Sequence, residues 1–415
     1  MTQWTLQKKL LGFRVMDYSH TAHNIFQVIM SVIQDYGIHN RIMSITLDNA
    51  SANSKAIEYF INSNIHNIAG NFFHARCACH IINLIVKSGF KKVESQIVII
   101  REALGWIMAS NQRSAEFARF CKSNNLKPRK FQTDMPVRWN STYLMLKSAL
   151  PYGLEITSFY NLNTINNTRH EKLTEGDWYV VKVFVEFLTV FYDATVELSG
   201  VYYPTSPLAL HKLYDIADLL KQYREIELVA PVVVAMQEKY KKYWGKIPLL
   251  YAFGIVVDPR FRFKALKVFS ATLGEALGLS ETDVAEHLGT LKSQILEVFS
   301  IYENMYRHND DTTGPTPPQQ QSQQQSKLMR IFLNKTTTSR ASRSSSQSQS
   351  QHVELNKYLS TEYSITDNDD FTINDLLKWW QNKRNTFPIL SRLACDVLAI
   401  PVSTVSSEQV FSTAG

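Results

Sequence analysis

Two carboxylates are of a type that metal-dependent phosphoryl chemistry could use, although each is locally most simply a helix-cap acid. Asp48 follows the short β-branched run Ile42 to Leu47 and precedes Asn49-Ala-Ser. An acid leaving a strand can present hard oxygens to a divalent cation, but the same residues make a good helix cap. Glu408 sits in Ser406-Ser-Glu near an expected helix start, where a carboxylate also suits the helix dipole. Phosphoryl transfer by two metals needs several hard oxygen ligands, because the ions clamp both the attacking and the leaving oxygen. An arrangement that gathers the two acids would favour catalysis over capping.

Two further groups carry chemistry. Cys77-x-x-His80, with Cys79 between them, offers soft ligands. Structural zinc wants four ligands from spaced pairs, and no second CxxC or HxxxH cluster accompanies this one. His74 is near, yet adjacent ligands on one strand point to opposite faces. A packing or support role is therefore expected, and no zinc. Arg138-Trp139 pairs a cation with a large π-face, which suits either a core position or stacking on a nucleobase at ~1–3 kcal/mol.

The elements that must position these residues begin as α/β. Trp4 to Val15 reads as a strand, and Ile25, Val28, Ile29, Val32 and Ile33 follow helical spacing up to Gly37. Ile42 to Leu47 reads as a second strand, and Asn49 to Asn53 as the turn and cap of a helix through Ala56, Ile57 and Phe60. Another apolar segment runs from Ile81 to Val86. From about Val93 to Ile301 the patterns become helical, as in Ile97-Ile100-Leu104-Ile107 and Val180-Phe184-Phe187-Phe191. Pro204, Pro231 and the Asp258-Pro-Arg turn punctuate them.

Residues 312–351 are rich in Gln, Ser and Thr and hold Lys327, Arg330, Lys335, Arg340 and Arg343 without an acid. Such a segment cannot offset its ordering entropy by burial and is expected to be a disordered linker, with a transient helical turn at Lys327 to Leu333. Periodicity returns near Val353 with Ile373, Leu376, Leu377 and Trp380, then Leu393, Val397 and Leu398. Trp379 and Trp380 are adjacent and cannot share one helix stripe, so one is expected to face a second surface.

The bulk composition agrees with a folded, polyanion-tolerant chain. Its 415 residues are 45% hydrophobic and 20% charged, with a formal charge of +7. Four cysteines are too few for a disulfide scaffold, and Met1 to Leu10 holds no apolar stretch suited to a signal peptide, so an intracellular protein is expected. No run approaches a membrane span, and no P-loop, GxGxxG, HExxH or nucleophile elbow occurs. These absences turn attention from nucleotide-binding, zinc-protease and hydrolase chemistry.

A set of blocks in fixed order resembles the hAT-superfamily DNA transposases, most closely the plant BED-finger and ricesleeper-like group. They are Thr46-Leu-Asp-Asn-Ala-Ser-Ala-Asn53, Arg76-Cys-Ala-Cys-His-Ile-Ile-Asn-Leu84, Val137-Arg-Trp-Asn-Ser-Thr142, Tyr203-Pro-Thr-Ser206 and Val257-Asp-Pro-Arg260. Leu377-Lys-Trp-Trp380 and Phe387-Pro-Ile-Leu-Ser-Arg-Leu-Ala394 follow, and Ile400-Pro-Val-Ser-Thr-Val-Ser-Ser-Glu-Gln-Val-Phe-Ser412 closes the series.

The resemblance implies α/β plus all-α: an incomplete RNase H-like catalytic core over 1–93, a long helical insertion over 94–311, the linker over 312–352 and a C-terminal hAT dimerisation segment over 353–415. It implies that Asp48 and Glu408 are the second and third acidic metal ligands, served by Mg²⁺ or Mn²⁺, and that Cys77 and His80 support the active site. Arg138 and Trp139 would contact DNA, with Trp139 on an unpaired base. Trp379, Trp380, Leu390 and Leu393 would belong to the dimerisation surface. The implied ancestral chemistry is cut-and-paste: water attacks at the transposon end, the freed 3′-hydroxyl forms a hairpin on flanking DNA, and the excised end attacks a target.

The resemblance also places the first catalytic aspartate on an opening strand upstream of the segment like Trp4 to Val15, and Asp17 does not match it. A BED finger before Met1 and a closing helix after Gly415 are likewise expected but not encoded here, and Gln409 stands where arginine is common. A chain truncated at both ends, nuclear, DNA-binding and homo-oligomeric but catalytically inactive is therefore expected, with no membrane or small-molecule partner. The alternatives are an active transposase in an incomplete reading frame and a domesticated interaction or regulatory factor.

Overall fold

A computed structural model describes residues 4–39, 41–63, 74–132, 134–135, 138–165, 171–307, 352–361, 371–405 and 407–408. The Gln/Ser-rich tract, with the helical turn expected at Lys327 to Leu333, lies outside the described residues.

The α/β start is small. Helix α1 (Ala22–Asp35) begins at Thr21, whose side chain accepts from Asn24 N, and stops before Gly37, whose φ of 59° suits glycine. Strand β1 (Ile45–Leu47) leads through Asp48 to α2 (Ser51–Asn62). Helices α1 and α2 pack through Phe26 and Phe60, with ring centres 4.8 Å apart, over Ile33, Ile57 and the strand residues Ile45 and Leu47. Strand β2 (His74–Arg76) runs parallel to β1, with Ile45 opposite His74 and Leu47 opposite Arg76. Among the described residues the sheet has these two strands.

The strand expected from Trp4 to Val15 does not form. Residues 4–16 carry no regular structure, and Val15 is 75% exposed, with Leu10 and Phe13 also outward. A strand is stabilised by a ladder partner, which an apolar pattern cannot supply by itself. Trp4 and Leu6 instead lie against the helical core.

That core begins with α3 (Ala78–Phe90), whose Ile81, Ile82, Ile85 and Val86 are all buried. Next come α4 (Glu94–Met108), α5 (Asn111–Ser123), α6 (Trp139–Ala149), a 3₁₀ turn at Leu150–Tyr152 and α7 (Gly153–Thr164). The long α8 (Glu175–Leu198) starts in a Thr174/Asp177 capping box and carries the expected Phe184, Phe187 and Phe191 inward. Helices α9 (Ser206–Tyr223), α10 (Ala230–Trp244), α11 (Leu249–Val256), α12 (Arg262–Leu277) and α13 (Glu281–Arg307) complete the central bundle. A Cβ on Gly254 would fall 2.5 Å from the Ser206 backbone, so glycine there lets α11 lie directly on α9.

The C-terminal helices α14 (Val353–Ser360), α15 (Leu376–Lys383) and α16 (Pro388–Leu398) return to this bundle. Trp380 Nε1 donates to Val257 O at 2.8 Å, and Tyr358 Oη donates to Val256 O at 3.0 Å. Asp258 is fully buried and ion-paired with Arg260 at 2.6 Å, while Arg260 Nη1 also donates to Phe371 O. What reads in sequence as a turn, Asp258-Pro-Arg, is a charged clasp between the bundle and its C-terminal cover.

Candidate functional site

Asp48 leaves the C-terminal end of β1. Its Oδ1 accepts from Ala50 N at 2.9 Å and Asn53 Nδ2 at 2.7 Å, so the carboxylate itself organises the turn. This replaces the cap expected from Asn49 to Asn53, because the N-cap residue Ala50 offers no side-chain acceptor. Asp48 Oδ2 takes no hydrogen bond from the described residues.

The chain that leads to Glu408 is held against the same strand end. Thr46 Oγ1 donates to Pro401 O at 2.7 Å, and Ala78 N donates to Val402 O at 2.8 Å. Between them, Cys77 N donates to Leu47 O at 2.9 Å, directly before Asp48. Cys77 Sγ then accepts N–H groups from His80 at 3.4 Å and Thr404 at 3.3 Å. Thr404 Oγ1 lies 3.2 Å from that sulfur and 3.1 Å from Glu408 Oε1, so its single proton serves one of the two at a time. Asp48, Cys77 and the turn bearing Glu408 are thereby brought to one corner, although 360 residues separate the two acids along the chain.

Cys79 points elsewhere. Its sulfur lies 3.6 Å from Thr195 O and 3.5 Å from Ser199 Oγ on the α8 side, and burial pushes the thiol up to about 11. Cys77 and Cys79 thus serve different neighbours, and a protonated Cys79 is a poor metal ligand. His80 is half-buried on the first turn of α3. Among the described residues no three His, Cys, Asp or Glu side chains gather to hold a metal.

Arg138 and Trp139 lie at the start of α6. Arg138 is exposed, whereas Trp139 is 3% exposed and packs near Tyr143 at 6.2 Å. An open stacking face, expected from the sequence, is covered here because the indole falls on the inward side of the first helical turn. The four residues expected to face a second copy divide similarly. Trp380, Leu390 and Leu393 are buried within the chain, whereas Trp379, edge-on to Trp380 at 4.9 Å, is half-buried.

Thr46, Thr404 and Thr205 escaped the sequence reading as site residues. Thr205 Oγ1 accepts from Val402 N at 3.2 Å. The signal available was their place inside the quoted blocks: Thr46–Pro401, Cys77–Thr404, Thr205–Val402 and Val257–Trp380 are all contacts between blocks. These four contacts tie Trp380 and residues Pro401 to Thr404 back onto β1, the start of α3 and the helical bundle.

Residues 2–68 match the ZBED1 RNase-like domain and residues 75–187 the ZBED1 RNase-like helical domain. Residues 208–302 match the RNase-H fold of hAT-like transposases, and residues 354–415 the hAT family C-terminal dimerisation region. The chain belongs to the hAT transposase family.

Among its hAT relatives, the putative AC transposase of Zea mays is 28% identical over 425 residues, covering 99% of this chain and 50% of that protein. The zinc finger BED domain-containing protein RICESLEEPER 3 of Oryza sativa subsp. japonica is 28% identical, with 99% of this chain and 54% of the relative covered. DAYSLEEPER of Arabidopsis thaliana is 24% identical, at 99% and 56% coverage. The chain spans about half the length of the curated relatives it matches. Within this hAT chain, Asp48 falls in the RNase-like match, Cys77, His80, Arg138 and Trp139 in the helical match, and Glu408 in the dimerisation match. No helix among the described residues is long and apolar enough to cross a membrane.

Proposed function

We propose that this chain is a nuclear DNA-binding protein of hAT descent that associates with itself, carries two positions of a divalent-metal site at Asp48 and Glu408, and does not cut DNA alone. The convergence of the Asp48 strand and the Glu408 turn on Cys77 carries this reading. Both groups are hard oxygen donors, which suits Mg²⁺ or Mn²⁺ over softer metals. Asp48 would offer Oδ2, since Oδ1 is held by Ala50 and Asn53, and the exposed Glu408 would offer its carboxylate. A divalent cation there would supply charge neutralisation to phosphodiester oxygens. Two carboxylates are fewer than that chemistry requires, so binding without cleavage is the proposed state.

The positive charge, the RNase-H-fold match and the transposase relatives support the DNA partner. The match over residues 354–415 supports self-association, to which the half-buried Trp379 would contribute. No small-molecule substrate is needed. The test incubates the full chain with supercoiled plasmid in Mg²⁺ or Mn²⁺. Retarded but intact plasmid is expected; nicking that disappears in Asp48→Asn would mean that the chain is an active nuclease, and absence of any retardation at low salt would remove the DNA reading.

A further inference from the structure

Between the middle of α5 and the segment leading to α6, the chain reads Phe117-Ala-Arg-Phe-Cys-Lys-Ser-Asn-Asn-Leu-Lys-Pro-Arg-Lys-Phe-Gln132. Five cations and no acid occur in it. Arg119, Lys122, Lys127, Arg129 and Lys130 are all exposed, and none forms an ion pair within the described residues. Lys122 also suits the C-terminal end of the α5 dipole, which accounts for one of the five.

The backbone beneath these side chains is fixed. Asn125 adopts a left-handed φ of 59°, with Asn125 N donating to Lys122 O at 3.1 Å and Leu126 N to Cys121 O at 2.8 Å. This closes α5 in a Schellman turn, a conformation asparagine tolerates. Tyr152 Oη then donates to Lys127 O at 2.7 Å. Phe131 is buried between Phe117 at 5.9 Å and Tyr152 at 5.5 Å. The next acid, Asp134, faces inward, taking Arg101 Nε at 2.6 Å, Ser141 Oγ at 3.0 Å and Thr142 Oγ1 at 2.9 Å. The segment is anchored at both ends by apolar and buried polar contacts while every cation projects to water. A solvated lysine-rich loop needs no such anchoring.

From this arrangement we infer that Arg119, Lys122, Lys127, Arg129 and Lys130 form a docking face for the phosphate backbone of duplex DNA. The inference rests on the DNA-binding reading and names the surface that carries it. A duplex presents one negative charge per about 1.7 Å of axis, a density that a short run of prearranged cations can engage without base contacts. Preorganisation lowers the ordering cost of the encounter. The same segment continues towards the exposed Arg138, so the face would extend the contact already assigned there.

The experiment measures fluorescence anisotropy of a labelled mixed-sequence duplex with the full chain across a salt series. K127A/R129A/K130A is compared with K239A/K242A/K246A, which removes equal charge from exposed positions at and beyond the end of α10. Melting curves matching the native chain establish that both variants are folded. The first triple should weaken binding at least tenfold at 0.1 M salt and reduce the log–log salt slope by about 2–3, near 0.9 per lost phosphate contact. The α10 triple should move either quantity far less. Equal effects of the two triples, or no effect of the first, would overturn the assignment while leaving DNA binding intact. A first triple impaired only for single-stranded RNA or an acidic peptide would also overturn it. A native chain that binds no duplex would remove the DNA-binding reading and this face together.

Discussion

Thr404 brings its backbone N–H to 3.3 Å from Cys77 Sγ, 327 residues earlier in the chain. The same sulfur accepts His80 N at the start of α3, so one thiol caps a helix and holds Thr404 at the base of the helical turn that carries Glu408. Position 77 therefore links the two candidate metal-binding acids through ordinary hydrogen bonds.

Cys77→Ala should lower stability by about 1–2 kcal/mol, since it strips the acceptor from a helix N-cap and from the Thr404 N–H. Cys77→Ser retains an acceptor and should recover at least half of that loss in urea unfolding. A serine variant as unstable as the alanine one would mean that the sulfur acts through packing alone.

The Asp258–Arg260 clasp offers a sharper energetic test. Asp258 is wholly buried, and its partner holds it at 2.6 Å and 3.0 Å through Nη2 and Nε. Arg260→Met leaves a buried carboxylate without its countercharge and should cost about 3–5 kcal/mol. Combining it with Asp258→Asn should restore part of the loss, which a double-mutant cycle by chemical denaturation would read as a coupling. Additive losses would show that the two side chains act independently.

Trp139 is a core residue in this conformation, so Trp139→Ala should destabilise the fold by about 3–5 kcal/mol. Trp139→Phe keeps most of the packing and should cost far less. If the indole nonetheless stacks on an unpaired base in the complex, the phenylalanine variant should bind hairpin DNA less well than native protein while binding plain duplex equally. Equal losses on both DNAs would remove the stacking role.

Acid should weaken the fold through half-buried imidazoles. His74, His211 and His287 are each held below the ordinary value of 6.5, chiefly by burial. Arg76 adds to this at His74; at His211, Asp258 and Asp215 oppose it while Arg260 and Lys212 assist. A lowered folded value means that the neutral form is the one the fold prefers. The stability is therefore present above pH 6.5 and lost as pH falls from there through the folded values. Urea midpoints should decline between pH 7.5 and 5.5, and His211→Gln should flatten that decline. A decline of equal steepness in His211→Gln would assign it to other groups.

The sequence made the local elements legible where periodicity and burial coincide. The strand leading into Asp48, which forms over Ile45–Leu47 of the Ile42 to Leu47 run, and the inward Phe184, Phe187 and Phe191 stripe follow from side-chain pattern. Trp4 to Val15 misled because a strand depends on a ladder partner that the segment does not contain. The Asp258-Pro-Arg turn announced itself by proline but not as a buried ion pair, since nothing local says that the C-terminal helices cover it. Trp139 carried both a core and a stacking reading, and only the helix phase places its ring inward. Asp48, Glu408 and Cys77 stood out in the sequence as candidates; the threonines that join their segments did not, because hydrogen bonds spanning hundreds of residues leave no local periodicity.

In the proposed function, Asp48 and Glu408 act at one place. Water-proton relaxation during Mn²⁺ titration of the full chain tests it, with Asp48→Asn, Glu408→Gln and the double variant in parallel. If the acids share one site, each single substitution should abolish most of the weak Mn²⁺ signal and the double should remove little more. Single variants that titrate like the native chain, or losses that simply add, would contradict it.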